Sequence, residues 1–233
     1  MRTFDHVDDK LFEAEFFIQQ MEDLEFNLFA MQCYFSAFVS SSRSVTFSMQ
    51  SSMHGVDGFE DWYAEVQDNL RKNRLARFFH ECRTDDQKIG FRHIVGGVSR
   101  DGKMAYLFGE PEAGRYKYVP DTDVLSTCKE HFKNICAIVD CAYTTFGLQI
   151  DPDQRYTPEG LEKLGISIDQ IEQELGFPSG WTDIEIDIEN KDLVRLELLR
   201  CNIPGSSVKP LLAKYLGRDL TYPTCPYRAP EHK

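Results

Sequence analysis

The sequence predicts a mainly α protein: a helical bundle with a small β-hairpin insertion and a mixed C-terminal appendage. Three observations carry this. Apolar residues recur at helical spacing through most of residues 8–148, and strict alternation is confined to short stretches. After Asp151-Pro152-Asp153 the pattern breaks into short pieces punctuated by glycine. At 233 residues, 42% hydrophobic and 27% charged, the chain has the composition and the length to bury a core. We divide it into a helical domain, residues 1–150, and an appendage, residues 151–233.

The elements follow in order. Residues 8–23 place Leu11, Ala14, Phe17, Ile18 and Met21 on one face, with Asp8 and Asp9 at the positive end of the helix dipole. A second helix runs from Glu25 to Met53, with Phe26, Phe29 and Cys33 on one side and Met31, Phe35, Phe38 and Val45 on another. Such a helix is central and buried on several faces. Its eight serines between Ser36 and Ser52 permit close helix approach, with hydroxyls bonding back to carbonyls one turn earlier. His54–Gly58 is a turn, and residues 59–83 are helical again with a break near Asn73. Residues 84–102 carry four glycines and read as a loop, after which Met104–Phe108 and Arg115–Val119 flank GEPEAG as a hairpin. A long helix over 121–148 follows, with Val124, Cys128, Phe132, Ile135, Ala142 and Phe146 as its apolar stripe.

The appendage reads as short amphipathic pieces over 157–176, broken by Gly160, Gly165 and Gly176. A turn at FPSGW, an alternating strand Thr182–Glu189, short helices at Leu193–Arg200 and Val208–Leu216, and an irregular tail complete it.

A net charge of −12 excludes a broad, sequence-blind footprint on nucleic acid or anionic lipid. It leaves room for one narrow phosphate site. The N-terminus, MRTFDHVDDK, has acids where a signal peptide needs cations, and no run of 18 apolar residues occurs. The expected location is cytoplasmic, with no membrane partner. Seven cysteines, at 33, 82, 128, 136, 141, 201 and 225, form no paired framework and read as reduced, mostly buried thiols.

Within the acidic chain, residues 71–83 gather Arg71, Lys72, Arg74, Arg77 and Arg83 against Glu81 alone. Residues 8–25 are the reverse, seven carboxylates against Lys10. The basic stretch is either a phosphate site or a charge complement to the acidic helix, solvated on its outer face. Arg43 is the one formal charge between Glu25 and Asp57. A cation in so apolar a helix needs a partner: a carboxylate on a neighbouring helix, or the groove that Arg83 faces.

Other signals are weaker. Ser126-x-x-Lys129 lacks the companion motifs of the penicillin-recognising enzymes, and His80-Glu81 lacks a second histidine because Thr84 fills that place. There is no CxxC pair, phosphate loop or dinucleotide fingerprint, so no metal or other cofactor is expected. Asp183, Glu185, Asp187 and Glu189 share one face of the expected strand and read as a solvated edge.

The combination SAFVSSSRSVTF, an aromatic-bearing helix around Trp62, and RFFHECRTDDQK resembles the HEPN-like helical family over roughly residues 8–148. The resemblance implies an up-and-down bundle that forms a homodimer. It also implies metal-independent ribonuclease chemistry in active members, with arginine and histidine of both protomers meeting at the interface. Arg83 takes the place of the motif arginine, Thr84 stands where asparagine is common, and Lys88 stands where the histidine belongs. A lysine, with an unperturbed pKa near 10.4, is a poor base at neutral pH but holds a phosphate as a point charge. In an exposed loop beside Asp85 and Asp86, Lys88 stays charged.

Two histidines are possible replacements. His80 lies one helical turn from Arg83, and His93 lies ten residues beyond it. Arg74 and His80 have the motif spacing, but six positions on a helix turn about 240° and put them on different faces. The expected ligand-binding residues are therefore Arg83, Thr84, Lys88 and Arg43, and the expected catalytic pair is Arg83 with His80. The function expected is binding of RNA or a nucleotide phosphate with weak or no catalysis. Two alternatives stand beside it: a non-catalytic interaction module with a basic protein partner, and a metal-independent endoribonuclease toxin.

Overall fold

A computed structural model describes residues 1–90, 93–100, 103–109, 117–183, 190–203 and 205–218. The fold is mainly helical, with a small two-stranded antiparallel sheet. The chain divides into two compact units, residues 4–139 and residues 1–3 with 140–233.

The first unit contains α1 (Asp5–Glu22), α2 (Leu28–Met53), α3 (Phe59–Lys72), α4 (Arg74–Ile89), β1 (Ile94–Arg100), β2 (Lys103–Phe108) and the first half of α5 (Val124–Ile150). α1 buries Val7, Leu11, Ala14, Ile18 and Met21 and packs on α2. The Asn27 side-chain oxygen opens α2 by accepting from the Ala30 amide at 3.0 Å. The serine expectation holds: Ser41 Oγ donates to the carbonyls of Ala37 and Phe38, Ser42 to Val39, and Ser44 to Ser40, at 2.9–3.2 Å. Phe26, Phe29 and Cys33 are exposed, which corrects their expected burial. Phe26 precedes the helix, and Phe29 and Cys33 border a surface cavity instead of the core.

Asn73 is the expected break. Its backbone is extended, and its side chain caps α4 by accepting from the Ala76 amide at 3.0 Å. α4 then continues through Thr84, Lys88 and Ile89, which corrects their placement in a loop. No residue of TDDQK breaks a helix, so the chain turns only at Gly90, whose φ of 62° is the left-handed conformation of a helix end.

The hairpin is also corrected. β2 pairs with β1 in the register Val98↔Ala105 and Gly97↔Tyr106, and residues 117–119 of the expected second strand are not in a strand. Gly96 and Gly97, taken for loop residues, belong to β1. A Cβ on Gly97 would come within 2.8 Å of Met104 Sδ and 3.0 Å of the Ala105 carbonyl oxygen, so strand approach requires glycine there. Arg115 lies outside the described residues, and Tyr118 packs its ring under the Arg74 guanidinium at 4.4 Å. The core between α2, α4 and α5 is aromatic, with Phe38 against Phe79 and Phe132.

The second unit holds the rest of α5, then α6 (Pro152–Arg155), α7 (Pro158–Leu164), α8 (Ile168–Glu174), α9 (Lys191–Asn202) and α10 (Lys209–Leu216). Tyr156, Ile168, Ile171, Leu196 and Leu199 form its core. Gly165 and Gly176 end helices at positive φ, but Gly160 lies inside α7. Its role is close approach: a Cβ there would sit 2.4 Å from the Arg155 carbonyl oxygen. Of the expected strand Thr182–Glu189, residues 184–189 lie outside the described residues, as does the expected tail 222–230. Cys82, Cys128 and Cys136 are buried, whereas Cys33, Cys141 and Cys201 are exposed, so the expectation of mostly buried thiols fails for half of these six. Among the described residues no helix is long and apolar enough to cross a membrane.

Candidate functional site

The α2 helix places Arg43, Thr46 and Phe47 within one turn. Arg43 Nη1 donates to Thr46 Oγ1 at 2.9 Å, and that hydroxyl donates to the Arg43 carbonyl at 3.0 Å. The Arg43 guanidinium lies over the Phe47 ring, 4.3 Å from its centroid, and the Arg83 guanidinium reaches the same ring from α4 at 5.4 Å. The Nε atoms of both arginines are buried without a hydrogen-bond partner among the described residues. No described carboxylate lies within ion-pair distance of either. Of the two partners the sequence offers Arg43, no carboxylate pairs with it among the described residues, and what it shares with Arg83 is the Phe47 ring. Burial lowers the Arg43 pKa; Tyr63 opposes this and the charge of Arg83 adds to it.

Beside this pair a cavity of about 240 Å³ opens between α2, α3, α4 and α5. Arg43, Arg71, Arg77 and His80 supply its basic lining, and among the described residues no carboxylate lines it. Val39, Phe79, His131 and Ile135, all buried, supply its apolar lining with half-buried Leu70 and Ala76. The His131 ring stacks on Phe79 with centroids 4.1 Å apart and planes at 10°. Burial takes its pKa down to about 3, so it is neutral at physiological pH. Its Nδ1 has no hydrogen-bond partner among the described residues. In the sequence Arg71 and Arg77 stand only as members of a charge run, and no motif marks His131. Its one signal is position, since it sits one turn after Cys128 and one before Ile135 on the α5 stripe.

The other expected residues are placed as follows. Thr84 Oγ1 donates to the His80 carbonyl at 2.9 Å, so its hydroxyl is occupied within the helix. Lys88 is exposed in the last turn of α4, where a cation suits the negative end of the dipole. His80 is exposed on the margin of the cavity, which Arg83 does not line. His93 is buried with its ring 6.1 Å from Phe35, beside a second cavity of about 380 Å³ lined by Cys33, Ser36 and Asp86. The structure thus brings Arg43 to Arg83, and Arg43 to His80. It does not bring Thr84, Lys88 or His93 to that point.

The basic helices are not neutralised by α1. Ion pairs of the acidic helix run to Lys10 (2.5 Å from Glu13) and Lys129 (2.8 Å from Glu22). Lys72 pairs with Asp68 at 2.6 Å, while no described carboxylate pairs with Arg71, Arg74, Arg77 or Arg83. Ser126 and Lys129 likewise have separate roles: the Ser126 amide is capped by Asp123, and Lys129 holds Glu22. Among the described residues no three His, Cys, Asp or Glu side chains gather as a metal site. Chemically, the arrangement gathers cations and hydrogen-bond donors.

No curated protein and no solved structure matches the chain. Residues 3–109, which carry α1–α4, both strands, Arg43, His80 and Arg83, match the family model described as bacteriophage lambda protein ea47, and over that segment the chain is similar to that family.

Proposed function

We propose that this protein recognises phosphate, on RNA or on a nucleotide, through Arg43 and Arg83, and that it has weak or no catalytic activity. In this reading it is a HEPN-like homodimer of the cytoplasm. The carrying observation is that two guanidinium groups share the Phe47 ring with buried, unpartnered Nε atoms and no described carboxylate nearby. Like charges held together without a counterion favour an anion in that place. Fluorescence anisotropy with a labelled RNA oligonucleotide tests this. Binding should weaken with salt, and Arg83→Ala should reduce both the affinity and the salt slope. Affinity that is indifferent to Arg83→Ala, or to salt, sinks the reading. Incubation with total RNA over pH 6–9 in the presence of a chelator separates binding from cleavage, and intact RNA is the expected result.

One observation favours a second reading, a non-catalytic module that docks a basic protein. On α1, Phe12 and Phe16 are 37% and 51% exposed, one turn apart, among the exposed carboxylates Asp9 and Glu13. An apolar pair framed by acids suits a basic, apolar partner segment. Pull-down by wild type and by Phe16→Ala tests it: a stoichiometric basic protein lost in the variant supports this reading, and recovery of none refutes it.

A further inference from the structure

The cavity between α2, α3, α4 and α5 joins two unlike surfaces. On its basic side, Arg71, Arg77 and His80 are exposed, and half-buried Arg43 stands beside them. On its apolar side are Val39, Leu70, Phe79 and Ile135, together with the His131 ring stacked on Phe79. Three permanent cations line it, and no carboxylate does among the described residues. A merely solvated charged face would leave each guanidinium to water. Here Arg43 Nε and His131 Nδ1 are buried with no hydrogen-bond partner among the described residues.

We propose that this cavity binds a small organic phosphate, its terminal phosphate against Arg43, Arg71, Arg77 and His80 and its apolar or aromatic body against Phe79, Leu70 and Ile135. The inference rests on the phosphate-recognition reading above and names the class of ligand within it. A terminal phosphate monoester carries roughly −1.5 to −2 charges at neutral pH, which suits three guanidiniums better than the single charge of an internal phosphodiester. The volume, about 240 Å³, lies below the ~300–1,000 Å³ usual for larger ligands. It admits one small body and not a folded strand. Phe79 and His131 offer that body a stacked pair of rings, and His131 stays uncharged beside it because it is buried.

Isothermal titration calorimetry on the full chain, with phenyl phosphate and inorganic phosphate as probes, tests the assignment. Phenyl phosphate should bind about tenfold more tightly than inorganic phosphate, because burying the ring adds apolar contact. Arg77→Ala should weaken phenyl phosphate by about tenfold, as expected for loss of one charge-assisted contact. Ala76→Phe, which fills the cavity from the first turn of α4, should abolish the preference for phenyl phosphate. Leu70→Phe fills it from α3 and serves where the first variant does not fold, as judged by circular dichroism. Equal affinity for the two probes overturns the proposal, as does a preference that survives either filling variant in folded protein. Absence of phenyl phosphate binding in a protein whose RNA affinity still depends on Arg83 overturns this inference alone. Phenyl phosphate binding in a protein with no affinity for RNA supports it and removes RNA from the wider reading.

Discussion

Arg43 on α2 and Arg83 on α4 direct their guanidinium groups at one ring, 4.3 and 5.4 Å from the centroid of Phe47. The charge of Arg83 disfavours the charge of Arg43 and adds to the effect of burial there. The pair is therefore a site held against electrostatics, and removing one charge should cost the fold little. Arg83→Met keeps an unbranched apolar stem in place of the arginine's and deletes the guanidinium and its charge. Its unfolding free energy should stay within about 1 kcal/mol of wild type in urea titrations, or rise. RNA affinity should fall in the same variant. A stability loss above about 2 kcal/mol would reassign Arg83 to the scaffold.

His131 predicts a pH dependence with a definite sign. Its folded pKa of about 3 lies below the ordinary 6.5 because burial disfavours the imidazolium. Between those values the unfolded chain takes up a proton that the folded chain refuses, so stability is complete above about pH 6.5 and declines as pH falls toward 3. The contribution of this one group reaches at most about 1.4 kcal/mol per pH unit. His131→Phe removes it and keeps a ring against Phe79. Urea unfolding of both proteins at about pH 5 and 7 should show a smaller loss in the variant. Parallel losses would mean that His131 is solvated in the folded state.

How much of this was legible in the sequence depended on the range of the interaction. The Asn73 break and the serine back-bonds are local, and the residues that make them lie within four positions of one another. The hairpin was misplaced because glycine has two meanings. At Gly97 it serves the approach of Met104 and Ala105 across the strand pair, which no window around Gly97 displays. Gly160 was misread in the same way, as a helix break where the chain needs room beside the Arg155 carbonyl. Arg43 and Arg83 were each visible as charges, but their shared ring joins positions forty residues apart in sequence. The cavity was invisible, since its lining comes from four helices and its buried histidine looks like any other member of an apolar stripe.

Cysteine reactivity should divide sharply. Burial pushes the Cys82 and Cys128 thiols well above their ordinary range and Cys136 to about 12, so none of the three presents a thiolate at neutral pH. Cys33, Cys141 and Cys201 are exposed. Brief alkylation of native protein followed by peptide mapping should label those three, and denaturant should be required for Cys82, Cys128 and Cys136. Native labelling of Cys128 would show that α5 opens on the timescale of the reagent.

In the second unit, Glu172 should be the side chain whose loss is felt most. Its carboxylate is fully enclosed and accepts from the amides of Gly180 and Thr182 at 2.5 and 2.8 Å, from the Thr182 hydroxyl, and from Arg195 Nη2 at 3.2 Å. Burial alone would raise its pKa, but these donors outweigh burial and hold it at about 2, below the ordinary 4.5. The stabilisation it provides is complete above about pH 4.5 and is lost as pH falls through 2, a window below that of His131. Glu172→Gln turns an NH2 donor toward the Gly180 and Thr182 amides and removes the charge that faces Arg195, which keeps Asp169 and the Thr182 hydroxyl as acceptors. We expect a loss of about 3 kcal/mol at pH 7, the scale of breaking a buried ion pair. Trp181, stacked on Phe177 at 4.1 Å in the same turn, reports the change by fluorescence. Midpoints that coincide with wild type in urea at pH 7 would show that the turn is held by its backbone alone.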